Sequence, residues 1–227
     1  MSRAPAALAA LVLGLAMAPG MAPGGTVTAG KQPVPAVLKA TESSAEDIVD
    51  YALAGNRGQV TTAAAELRAA ATGPAAAALA GSGASPADIS TLRQRATRVA
   101  ALSRHGSFVQ IALAANAVSQ LMAGFYARFR DPVPPGILTL DYLDREAQLR
   151  SLAGQRPEVA AAIRQLVAFW PRTRPLVVAA GGATQAAAYQ AHVAAMKRLA
   201  PGAGARIRAE AVRGLALVDK LEQVFTG

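Results

Sequence analysis

FYARFRDPVPPGILTLDYLDREAQLR, residues 125–150, is the stretch whose reading decides the fold. An aromatic and basic helix end, Phe125 to Arg130, runs into Asp131-Pro132-Val133-Pro134-Pro135-Gly136. Proline fixes φ and has no N–H to donate, so a helix cannot cross this segment. A new helix is expected from Thr139 or Leu140, with Leu143, Ala147 and Leu152 on its apolar side. Its first turns carry Asp141, Asp144 and Glu146. The stretch therefore predicts two helices joined by a hard break, with carboxylates gathered just after it.

The rest of the chain agrees with a helical reading. Of the 227 residues, 52% are hydrophobic but only 4% aromatic, and alanine supplies much of the apolar content. Alanine is the best helix former and buries little area, so thin, closely packed helix cores are expected. Valine and isoleucine never form alternating runs, which argues against a sheet. The fold class read from this is all-α. An up-down bundle of four long segments, the later ones broken by Pro and Gly, is the simplest arrangement, and an irregular six-helix globule is the alternative.

Outward from the break toward the N-terminus, Ser85-Pro86 opens the longest segment, running to about Arg130 with His105-Gly106 as its one weak point. Before it, a helix is expected to follow caps at Thr41 to Ser44, with Glu46, Asp47 and Asp50 in its first turns, and to run to about Ala71, weakened at Gly55 and Gly58. Residues 30–41 read as an extended leader. Residues 1–29 read as a secretory signal peptide, with Arg3, an apolar core Ala6–Met17, and Val27-Thr28-Ala29 before an expected cut after Ala29. Toward the C-terminus, Pro171 and Pro175 are expected to kink or end a helix carrying Ile163, Leu166 and Trp170. The last segments start near Thr184 and Ala205. Residues 42–227 form one expected helical domain, and no transmembrane segment is read in the mature chain.

There is no cysteine, which excludes disulfides, thiolate metal sites and covalent haem attachment. The formal charge is +9, with 19 Arg and 4 Lys. The basic residues are spread out and interleaved with acids, so the clustered footprint of a nucleic-acid binder is missing. A small ligand or an envelope protein is the expected kind of partner.

Two constellations carry candidate chemistry. In an up-down bundle the first and third long segments begin at the same end. That end would collect Glu46, Asp47, Asp50, Asp141 and Asp144, with Tyr126, Arg128, Arg130 and Glu222 delivered by the neighbouring helix ends. Asp47/Asp50 and Asp141/Asp144 are both i,i+3 pairs, so each pair lies on one helix face. These four aspartates are the candidate cation ligands, since carboxylate oxygens suit a hard cation. The competing explanation is that acidic residues simply favour helix N-termini through the macrodipole.

The second constellation is Tyr189, His192 and Met196, on one helical stripe. Histidine and methionine can hold a haem or a copper ion, so these three are the candidate cofactor-binding residues. The competing reading is a core histidine satisfied by hydrogen bonds. No specific cofactor is named by the sequence. It also holds no G-x-S-x-G, S-x-x-K or H-E-x-x-H motif. The expected function is an exported helical binding protein for a cation or small polar ligand. A helical scaffold of the cell envelope and a small secreted all-α enzyme are the alternatives.

Overall fold

A computed structural model describes residues 31–227, which form one compact unit. The expected signal peptide and its cut after Ala29 lie outside the described residues. Those residues hold nine helices and no strand: α1 (Ala36–Leu53), α2 (Arg57–Thr72), α3 (Pro74–Gly81), α4 (Pro86–His105), α5 (Phe108–Tyr126), α6 (Pro135–Leu152), α7 (Arg156–Ala179), α8 (Ala183–Arg198) and α9 (Gly204–Thr226). The all-α, bundle-like class is as expected.

The long segments divide further than their periodicity suggests. α1 stops at Leu53 because Gly55 takes a φ of 73°, a left-handed conformation open to glycine. Asn56 then restarts the chain as α2, its side chain accepting a hydrogen bond from the Gln59 N–H at 3.2 Å. At Gly106 the chain turns extended, and Ser107 and Gln110 form a reciprocal capping box that opens α5.

Two expectations need correction. The leader of residues 30–41 is not extended throughout, because α1 already begins at Ala36. Only the segment before it is extended: Pro33 makes an isolated bridge to Arg130, and the Arg130 N–H donates to Gln32 C=O at 2.7 Å. The second concerns the expectation that Pro171 and Pro175 kink or end a helix: they do not end α7, which runs on to Ala179. Both prolines are exposed, and four residues apart they share one face. The carbonyls they leave unbonded therefore face water rather than a neighbouring helix.

The core has two lobes. One is built from α1 to α5, with Leu38, Ile48, Leu67, Leu92, Ile111 and Met122 among its members. The other joins α6 to α9 through residues such as Ile137, Leu140, Trp170, Tyr189 and Leu221. α6 lies at the junction, packed against α5, α7 and α9. No residue from Pro135 to Ser151 is fully exposed, and Leu149 reaches back into the first lobe. The helix with the most charged residues in its middle is thus the most enclosed one. That decides where the polar chemistry sits.

α5 also differs from expectation. By length and composition it could cross a membrane. In this fold its apolar residues pack against α1, α4 and α6.

Candidate functional site

α6 carries Asp141, Asp144, Arg145 and Glu146 into the interior, where they meet partners on α1, α5 and α8 as well as one another. Burying a charge is tolerable only when it is paired or neutralised. The pairings therefore define the polar architecture of the molecule.

Asp141 faces α1. Arg145 lies between the two helices, 3.4 Å from Asp141 Oδ2 and 3.6 Å from Glu46 Oε1. Glu46 and Asp141 are close enough to share a hydrogen bond, which two ionised carboxylates cannot do. Burial pushes the Glu46 carboxyl up to about 8, with the Asp141 charge adding to the shift and Arg145 opposing it. Burial raises Asp141 as well, against the pull of Arg145 and the Glu46 bond. Burial and mutual repulsion thus push both carboxyls of the pair toward the protonated form, with Arg145 opposing them.

One turn earlier on α1, Glu42 accepts a 2.5 Å hydrogen bond from the Tyr126 hydroxyl at the end of α5. Burial raises the Glu42 carboxyl, and Asp141 and Asp131 add to this. Near the end of α9, Glu222 is pushed up to about 7 by burial and by Asp141, Glu42, Asp219 and Asp131. Glu42, Tyr126, Asp131 and Glu222 line a concavity of about 230 Å³, together with Lys39 and the apolar Val133 and Leu138. Lys39 is engaged with Asp131 at 3.3 Å. Among the described residues, no Lys or Arg pairs with Glu42 or Glu222.

The membership of this cluster differs from the four aspartates read from the sequence. Asp141 is in it. Asp47 and Asp50 are exposed on α1, turned away from the interior. Glu46 and Glu42 take their places, four residues apart on the buried side. The helix-dipole explanation does not account for them. α1 begins at Ala36 and α6 at Pro135, and neither has an acidic residue in its first turn, where the dipole acts. Of the two arginines expected at that end, Arg128 does not relieve the repulsion: it pairs with Asp88 at 3.4 Å and donates to Gly83 C=O at 3.0 Å. Arg145, on the same helix as Asp141, does the work instead. Among the described residues, no three His, Asp or Glu are grouped to hold a metal ion.

Asp144, the fourth aspartate, points the other way, into the second lobe. It meets the second constellation there. His192 Nε2 lies 2.8 Å from Asp144 Oδ1, and His192 Nδ1 lies 2.9 Å from Glu210 Oε1 on α9. The Tyr189 hydroxyl donates to Asp144 Oδ2 at 2.7 Å. A neutral imidazole has one N–H, so two carboxylate partners require either an imidazolium or a proton on one carboxyl. Burial acts to lower the His192 pKa, but the bonds to Asp144 and Glu210 outweigh it and the net shift is upward. Burial raises the Asp144 carboxyl as well, against the bonds from His192 and Tyr189, so one proton beyond the neutral ring's own is held along the Asp144–His192–Glu210 line.

Both ring nitrogens are thereby occupied, and neither is left for a metal. Met196 is fully buried in the apolar core, as part of the second lobe. Tyr189 packs tilted against Trp170, ring centroids 4.7 Å apart, and the Trp170 Nε1–H donates to Gln190 Oε1 at 2.8 Å. These residues form a pinned core rather than an open cofactor pocket.

Two residues here escaped the sequence reading. Glu210 sits on α9 with no motif around it. Gly214 is the other: a Cβ placed there would lie 2.5 Å from both Asp144 Oδ2 and His192 Nε2. The absent side chain is the room the Asp144–His192 bond occupies. Glu42 was also missed, although its i,i+4 spacing to Glu46 placed two like charges on one face, which is the available signal.

The polar residues of α5 also find a use. Asn116 Nδ2 donates to Glu146 Oε2 at 2.8 Å, linking the two lobes, and Glu146 in turn accepts from Arg150 Nε at 2.6 Å. Compared with known proteins, the chain matches no family model, no curated protein and no solved structure.

Proposed function

We propose that this chain is an exported binding protein for a small organic cation, held in the carboxylate-lined concavity between α1, α5 and α9. The observation that carries the reading is the pair Glu42 and Glu222. Both face the concavity with no cation of their own among the described residues, while the one lysine present is committed to Asp131. An ammonium group would relieve the repulsion that adds to burial in raising these carboxyls. The apolar body of such a ligand would rest on Val133, Leu138 and the Tyr126 ring. A volume of about 230 Å³ suits a compact amine rather than a large ligand. The mixed lining favours an organic amine over a bare metal ion, which would need three or more oxygen ligands converging on one point.

A titration with putrescine, cadaverine, choline and Ca²⁺ tests this. An amine bound at a hundredfold excess over its Kd raises the unfolding free energy by about 2.7 kcal/mol. Binding at pH 7 also releases protons, because Glu222 must ionise to pair with the ammonium. Glu42→Gln/Glu222→Gln abolishes both effects. No stabilisation by any amine, or equal stabilisation of the double variant, would remove the reading. The export half is tested separately by N-terminal sequencing of the exported chain, which should begin at Gly30.

A further inference from the structure

On the opposite electrostatic footing, a second concavity of about 460 Å³ lies between α4 and α5, closed at one end by the α6–α7 turn. It shares no lining residue with the carboxylate pocket. Three guanidinium groups line it: Arg95 and Arg98, three residues apart on α4, and Arg150 near the end of α6. No carboxylate among the described residues pairs with Arg95 or Arg98.

The arginines are placed rather than loose. Arg95 is half-buried, and its Nη1 donates to Ala117 C=O and to Gln120 Oε1, the latter at 2.9 Å. Arg150 is held by Glu146 at 2.6 Å and by Gln155 Oε1 at 2.6 Å. Burial lowers the Arg95 pKa, yet the group stays charged because arginine starts so high.

The two amides in the lining sharpen the chemistry. Gln110 Oε1 accepts from the Ser107 N–H at 2.9 Å, as part of the α5 capping box. Gln155 Oε1 accepts from Arg150. Each amide oxygen already accepts one bond, and each side chain has an NH₂ to offer. Every polar side chain lining this space thus carries N–H donors, and none is a carboxylate. The remaining lining, Leu102, Leu113, Ala114 and Ala117, is apolar on its side chains. Donor-rich walls without a carboxylate, over an apolar floor, fit one class of ligand.

We infer that the groove between α4 and α5 binds a small soluble organic anion, its phosphate or carboxylate head on Arg95, Arg98 and Arg150 and its apolar body on the α5 floor. The volume exceeds what an inorganic anion fills, so the apolar part contributes to selection. This does not depend on the cation-binding reading, since the two spaces are lined by different residues.

Calorimetric titration of the mature chain with phenyl phosphate, benzoate, phenol and inorganic phosphate tests it. Phenyl phosphate or benzoate binds, and more tightly than either inorganic phosphate or phenol alone. Arg98 is exposed and makes no ion pair among the described residues, so Arg98→Glu keeps the fold, which a melting curve verifies. It weakens binding by about tenfold or more, the usual loss for a charge-assisted contact turned repulsive. Arg164→Glu, equally exposed on α7, makes the same change in net charge and leaves affinity unaltered. Four results would overturn the inference: no binding by either organic anion, inorganic phosphate binding as tightly as phenyl phosphate, an equal loss in both variants, or retention on phosphatidate vesicles without binding of phenyl phosphate. The third would mean bulk attraction to a basic protein, and the last a membrane surface.

Discussion

Asp144, His192 and Gly214 meet at a point where helices approach too closely for any side chain larger than hydrogen. Gly214→Ala would force a methyl group within 2.5 Å of both Asp144 and His192. Overpacking alone costs about 1–3 kcal/mol, and the displaced buried pair adds to it. Asp144→Ala is the sharper test. It leaves the Tyr189 hydroxyl and a His192 nitrogen without partners in a fully buried site. Breaking one side of such a pair costs about 3–5 kcal/mol, measurable by urea unfolding. A loss below about 1 kcal/mol would mean that water replaces the carboxylate. The carboxyls set the pH response. Glu46 is pushed up to about 8 and Glu222 to about 7 from an ordinary 4.5. The folded chain therefore keeps protons that the unfolded chain has released. Their stability contribution is complete below about 4.5 and is lost as pH rises through 7 and 8. His192, also raised, changes stability in the same direction. The melting temperature should fall between pH 5 and pH 8, and Glu46→Gln should flatten that slope. A melting temperature that climbs with pH over this range would contradict the arrangement of Glu46 and Asp141.

Helix ends were the most legible elements, and helix continuity the least. Ser85-Pro86 announced α4, and Pro132 to Gly136 announced the gap before α6, because proline and capping residues act locally. The break at Gly106 was legible only as a weak point. What makes it a break is the capping box of Ser107 and Gln110, in which each side chain bonds the other residue's backbone. Ser107→Ala should cost about 1 kcal/mol, the usual worth of such a cap. Under the same substitution the α5 amide protons near Gln110 should exchange faster. Unchanged exchange there would show that packing rather than capping holds the α5 start. The prolines of α7 misled for the opposite reason. Their local effect is to break a helix, but an exposed face supplies water to the stranded carbonyls, and exposure is a tertiary property.

Across the whole molecule, α6 ties the two lobes together. Asn116 to Glu146, Arg145 to Glu46, and Leu149 in the first core all cross the junction. The lobes should therefore unfold as one. Trp170, the single tryptophan, lies buried in the second lobe and reports on it by fluorescence, while far-ultraviolet circular dichroism reports on every helix. The two probes should give coincident transitions in urea. A separate, earlier fluorescence change would mean that the second lobe unfolds alone. The sequence by itself determined the helical class, the hard break at residues 131–136 and the placing of Asp141 and Asp144 on one face of one helix. Those follow from alanine content, proline chemistry and helical spacing, which act over a few residues. Only the tertiary structure decided that Asp141 turns to α1 while Asp144 turns to α8. It also decided that Glu46 and Glu42, not Asp47 and Asp50, share the first site. Two residues three apart lie on one face, but a central helix presents that face to two neighbours at once, and periodicity carries no record of which neighbour each side chain meets. The same holds for the arginines of the α4–α5 groove, spread in the sequence from Arg95 to Arg150 and gathered only when three helices pack.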